Sequence, residues 1–187
     1  MALRKGCIEA LVTTGERPDI FPEIRRKLAA LGHKSFVSYV EATCRRLLEL
    51  GLLPHVNLGL LGKGELRRLR KVSASMGLML ESKADLWVHR NSPGKNPQLR
   101  LQMIETAGEL HIPFTTGLLL GIGEKKKDRL ESLLAIKKLH QRYGHIQEVI
   151  IQPFEPKPGT PMAQTPRPSF RTILETVKMA RKILPGV

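Results

Sequence analysis

The chain has 187 residues, 41% hydrophobic and 26% charged, which is enough to bury one core and ordinary for a globular protein. No apolar run approaches the ~20 residues of a membrane span, no secretory apolar stretch follows Met1, and Cys7 and Cys44 stand too far apart to form a metal-binding pair, so a reducing, cytoplasmic setting is expected. A balance of 31 basic to 17 acidic residues gives +14 and raises nucleic acid as a partner. The basic residues are dispersed over polar helix faces, however, only 4% of residues are aromatic, and no nucleic-acid-binding signature accompanies them, so neither nucleic acid nor membrane is the expected partner.

Short apolar runs alternate with amphipathic segments from end to end. Residues 8–14 form the first predicted strand, and 36–51 a helix with Gly51 near its C-terminus. A strand over 53–59 leads to a short basic helix over 63–71, then a strand over 73–80. A helix over 97–110 has proline in its first turn. Strand 113–121, helix 125–143, strand 148–154 and helix 169–184 complete the chain. Five βα units in a row, with strands read as continuously apolar, predict an α/β fold with a parallel sheet covered by helices, open or curled into a barrel. The proline-rich stretch 153–168 is the longest irregular segment.

The segment PFTTGLLLGIGE, residues 113–124, carries the most information. It is a buried strand that ends in a glycine turn and enters a charged helix. The spacing Gly117-x-Leu119-x-Gly121-x-x-Glu124 puts two residues without side chains at the carboxyl end of a strand. Ligands of parallel α/β folds bind at that end, and glycine lets the backbone approach a flat ligand. Neither common phosphate motif fits: no glycine follows at position 126, and no Gly-Lys-Ser/Thr is present. The alternative is an ordinary βα turn with an acidic helix start.

Several blocks together resemble one enzyme family. They include Glu9-Ala10-Leu11 with Thr14-Gly15-Glu16-Arg17-Pro18, Gly51-Leu52-Leu53-Pro54-His55, Ala74 to Ser82, Ser92-Pro93-Gly94-Lys95, Ala107 to Glu124, Tyr143 to Gln152 and Lys157 to Met162. The chain resembles the radical S-adenosylmethionine (SAM) enzymes that make 7,8-didemethyl-8-hydroxy-5-deazariboflavin (FO), the chromophore of coenzyme F420, as the CofG-type subunit or the N-terminal half of the fused FO synthase. The resemblance implies a partial (β/α) TIM barrel of the radical-SAM type, truncated to about five βα units over a single domain, residues 1–187. It implies SAM and a [4Fe-4S] cluster as cofactors, and a CofH-type partner subunit or fused second half that joins tyrosine to 5-amino-6-(D-ribitylamino)uracil. The CofG-type half then cyclises that adduct with release of ammonia.

The family's Cys-x3-Cys-x2-Cys does not occur in these 187 residues, so no metal ligand is assigned. The expectation is that the first family strand and its cluster loop are missing, that the chain alone is inactive, and that it associates through the exposed strand edge.

By resemblance, SAM is expected to lie against Gly15 and Glu16, the latter suited to an ammonium, and against Gly117, Gly121 and Glu124. Ser75 and Glu81 flank a largely apolar strand and join the SAM set, with an internal hydrogen bond as the alternative. His55, Asn57 and Gln152 are expected to face substrate, as are His89, Ser92 and Lys95, although their loop is several residues shorter than in the family. Catalytic residues are not assigned. Two other classes remain open: a cluster-less basic scaffold that binds a partner or nucleic acid, and a cluster-free barrel lyase, for which no Lys or Glu stands out as the base.

Overall fold

In the computed structural model, which describes residues 3–187, five strands run parallel in one sheet. They are β1 (Glu9–Thr13), β2 (Leu53–Asn57), β3 (Ser75–Gly77), β4 (Phe114–Leu120) and β5 (Ile146–Pro153). Their spatial order is their chain order, so the winding never reverses. A doubly wound sheet reverses and places helices on both faces. This sheet does not, so its crossovers stack on one face and the other is left concave, as in a partial TIM barrel.

The covering helices are α1 (Pro22–Ala30), α2 (Phe36–Glu49), α3 (Lys63–Arg70), α4 (Pro97–Glu109), α5 (Lys126–Tyr143) and α6 (Phe170–Ile183). Their starts follow local chemistry. Ser35 and Ser38 exchange side-chain to backbone hydrogen bonds at the head of α2. Asn96 accepts from the amides of Gln98 and Leu99 ahead of Pro97 at the head of α4. Gly144, at φ 65°, ends α5 in the left-handed conformation.

The core lies between these helices and the convex face of the sheet. Val56, Met76, Phe114, Leu118 and Leu120 project into it from the strands, against Val40, Cys44, Leu66, Ile104, Leu133 and Ile136 from the helices. A smaller cluster of Leu86, Ile122 and Met162, with Phe154 and Leu119, ties together the loops that follow β3, β4 and β5. These loops rim the carboxyl end of the sheet.

Three expectations are corrected. The strands are not continuously apolar: β4 and β2 alternate, because helices cover only one face. Strand 73–80 shortens to Ser75–Gly77, since Glu81 turns into the left-handed region at φ 64°. Past that point the chain still pairs with β4, through Glu81 N to Gly117 O (2.9 Å) and Leu119 N to Glu81 O (3.0 Å). Helix α1 was not foreseen, because only Leu28 of its nine residues is buried and its apolar stripe is thin. Among the described residues β1 hydrogen-bonds only to β2 and β5 only to β4.

Candidate active site

The concave face holds an open basin of about 520 Å³. The alternation of the strands sets its lining: Glu9 and Leu11 from β1, His55 and Asn57 from β2, Ser75 from β3, Thr115 from β4, and Glu148, Ile150 and Gln152 from β5, with Met79 above Ser75. His55, Asn57, Ser75 and Gln152, spread over 98 positions of sequence, thus converge on one surface. His55 and Ser75 are paired in register across β2 and β3, and His55 Nδ1 lies 2.7 Å from Ser75 Oγ. Ser75 therefore belongs with His55 rather than with Glu81.

Glu81 marks another centre, at the rim. Its side chain is 9% exposed and is surrounded by His89, Lys95 and Arg100. Lys95 Nζ donates to Glu81 Oε1, Arg100 Nη1 stands 3.4 Å from the same oxygen, and His89 Nε2 lies 2.9 Å from Oε2. The His89 approach is out of line for a hydrogen bond, which leaves Oε2 without a strict partner. Burial pushes the Glu81 carboxyl up, but His89, Lys95 and Arg100 together outweigh it and hold it down at about 2. Arg100 also donates through Nε to Gly94 O (2.7 Å) and through Nη1 to Met79 O, which fixes the loop around the carboxylate.

The division expected from sequence, with Ser75 and Glu81 on SAM and His89 and Lys95 on substrate, does not match this geometry. Six positions along a regular strand would keep Ser75 and Glu81 on one face, but the left-handed turn at Glu81 redirects its side chain. Ser92 is exposed and its side chain makes no capping bond, so it joins neither centre.

The glycine-linked residues divide as well. Glu16, past the end of β1, accepts a long hydrogen bond from Leu60 N (3.4 Å), and its carboxylate lies where a Cβ on Gly94 would project. Gly15 beside it is open to solvent. Gly117 faces the basin, where its missing Cβ leaves room for Met79 Cε and the Ile150 carbonyl. Gly121, at φ 89°, and Ile122 donate their amides to the Glu124 carboxylate at 3.0–3.1 Å, and Arg129 pairs with it at 3.1 Å. Glu124 is thus engaged in closing the turn, with its side chain 3% exposed. Pro168 packs over Gly121, 2.9 Å from the place of a Cβ.

No protein-family model matches the chain. Proteins named 7,8-didemethyl-8-hydroxy-5-deazariboflavin synthase do match it: 52% identity over 99% of the chain for Archaeoglobus fulgidus, 56% over 96% for Methanosphaerula palustris, and 51% over 100% for Methanothermobacter thermautotrophicus. Over nearly its whole length the chain is a homologue of these FO synthases. It spans 55–58% of the length of these relatives. Two solved structures share the fold: methylornithine synthase (TM-score 0.70, 22% identity, 94% of this chain and 47% of that one) and a domain of pyruvate-formate lyase-activating enzyme from Bacteroides vulgatus (TM-score 0.65, 17% identity, 79% and 86%). The sheet accordingly has the same partial-barrel fold as these two structures.

The likeness to FO synthases implies SAM and an iron–sulfur cluster. The residues present do not fit a cluster: Cys7 is exposed, Cys44 is buried in α2, and no three His, Cys, Asp or Glu among the described residues could hold a metal ion. Among the described residues, no helix is long and apolar enough to cross a membrane. Sequence reasoning missed Arg100, which is 4% exposed and central to the rim. The available signal was an arginine on an otherwise apolar stretch of α4, Leu99-Arg100-Leu101, where a guanidinium that is buried requires a carboxylate.

Proposed function

We propose that this chain forms the substrate- and SAM-facing part of an FO synthase, as one radical-SAM-like domain over residues 1–187 that acts in F420 biosynthesis. The observation that carries this reading is 50–56% identity to the synthases over a span that takes in nearly the whole chain. The basin presents amides from Asn57 and Gln152 and hydroxyls from Ser75 and Thr115, which can both donate and accept. Such a surface suits the lactam edges of a pyrimidine joined to a tyrosine-derived ring, while Met79 and Ile150 offer that ring apolar contact.

SAM fits at the rim by the chemistry of its donors. Glu16 supplies a carboxylate for the ammonium, with Gly15 beside it leaving the approach open. Lys95 and Arg100 exceed Glu81 in charge, which favours a carboxylate nearby. The turn shaped by Gly121 and Glu124 and the strand position Gly117 bound the site on the β4 side. No step is derived through the cluster, because its ligands are not among these residues. What the chain itself does is orient the substrate, exclude water beneath the rim loops and place ionisable groups against the reacting atoms. The further parts of this reading are a CofH-type subunit or fused half as partner, and a reducing cytoplasmic setting in keeping with two free thiols.

The test is a chimaera in which this chain replaces the matching segment of the Archaeoglobus fulgidus synthase, assayed anaerobically for FO fluorescence with tyrosine, 5-amino-6-(D-ribitylamino)uracil and the CofH-type partner. FO formation within about tenfold of the parent is expected. A folded, cluster-loaded chimaera that cleaves SAM yet forms no FO refutes the reading.

A further inference from the structure

His55 differs from the other polar residues of the basin in being held at only one end. Nδ1 is engaged by Ser75 Oγ at 2.7 Å, and Ser75 is itself 8% exposed, so solvent competes poorly for that contact. The register of β2 and β3 fixes the two residues opposite one another. Nε2 lies over Gly77, where a Cβ would come within 2.9 Å and push the ring aside. Nε2 is not among the buried atoms left without a partner; it opens onto the basin. A glycine that makes room, a serine that sets the ring orientation and a free nitrogen toward the ligand space together describe an imidazole prepared for proton exchange.

We propose that His55 is a proton-transfer residue of the basin, exchanging a proton through Nε2 with a bound aminopyrimidine. The inference rests on the basin being the substrate site. In the forward direction the Nε2 lone pair takes a proton from a ligand N–H, and the imidazolium keeps its Nδ1–H on Ser75 Oγ. The pair freed by that deprotonation forms a C=N bond to the adjacent carbon as the C–N bond to a second nitrogen on that carbon breaks; the departing nitrogen takes the bonding pair and the proton from Nε2, and the imidazole returns to neutral. No oxidant or reductant is required. The charged groups lining the basin with the ring are Glu9 on β1 and Glu148 on β5; the lining from β3, the loop after it and β4 is the uncharged Ser75, Met79 and Thr115.

The experiment is calorimetric titration of the 187-residue chain with the tyrosine adduct of 5-amino-6-(D-ribitylamino)uracil, the ligand assigned to the basin, in two buffers of different ionisation enthalpy, which counts protons exchanged on binding. The wild type is expected to exchange a non-zero fraction of a proton. His55→Gln should bind within about tenfold, the worth of one hydrogen bond, and exchange none. Ser75→Ala should bind while long-range ¹⁵N spectra of His55 change from one ring tautomer to a mixture. Binding with no proton exchanged by the wild type, or an undiminished count in His55→Gln, overturns the inference and leaves the basin as a binding site. Absence of binding by the wild type removes the inference and the basin reading together.

Discussion

Phe114 and Thr115 are consecutive residues of β4, yet Phe114 is fully buried against the helices while Thr115 faces the basin. The same division runs across the sheet: Val56 and Met76 pack into the core, and His55 and Ser75 beside them face the basin. One face is specified by volume and dryness. The other is specified by hydrogen-bonding capacity, and it contributes little to holding the sheet together. Stability and function are therefore encoded on alternate residues of the same strands.

The largest expected contrast comes from the pair that opens this comparison. Phe114→Ala should cost about 3–5 kcal/mol in urea unfolding, while Thr115→Ala should stay within about 0.5 kcal/mol. Equal losses would break the division. Glu81→Gln comes next. Its folded carboxyl is held at about 2 against an ordinary 4.5, so the charged form adds on the order of 3 kcal/mol above pH ~4.5. The sign follows from the depressed value: this stability is lost as pH falls from about 4.5 toward 2, and melting curves of Glu81→Gln should lack that part of the acid dependence.

Gly117→Ala should cost about 1–3 kcal/mol, because its Cβ would meet Met79 and the Ile150 carbonyl. This would show that even the open face is close-packed where two strands and a side chain converge. A smaller effect on stability is expected at Gly94. Gly94→Ala directs a Cβ at the Glu16 carboxylate, which is exposed and free to swing aside, so unfolding should change by less than about 1 kcal/mol. S-adenosylhomocysteine binding, read by calorimetry, should nevertheless weaken by about tenfold if Glu16 is displaced from its ammonium.

Much of this was legible from sequence, where one signal dominated. The β4–α5 unit was found almost to the residue because an apolar run, a glycine turn and a long amphipathic helix agree there. Residue patterning placed His55, Asn57 and Gln152 on strands, and only the resemblance turned them toward one substrate, because the winding direction is a property of the whole chain. Arg100 was hidden because its partners lie 6 to 21 residues away, in a loop with no periodicity of its own. Glu124 shows the converse: the carboxylate that ends the glycine motif is engaged by the backbone of its own turn, a contact that spacing alone does not announce.

Pro168 resting on Gly121 has a consequence for cooperativity. It sits immediately before Ser169, the cap of α6, so the last helix begins on the turn that closes β4. Release of the 154–169 stretch would uncover Gly121 and detach the head of α6 in one event. The amides of Gly121 and Ile122 should therefore exchange with solvent deuterium at the rate of the first turn of α6, as one opening unit, and ligand seated at the rim should slow both.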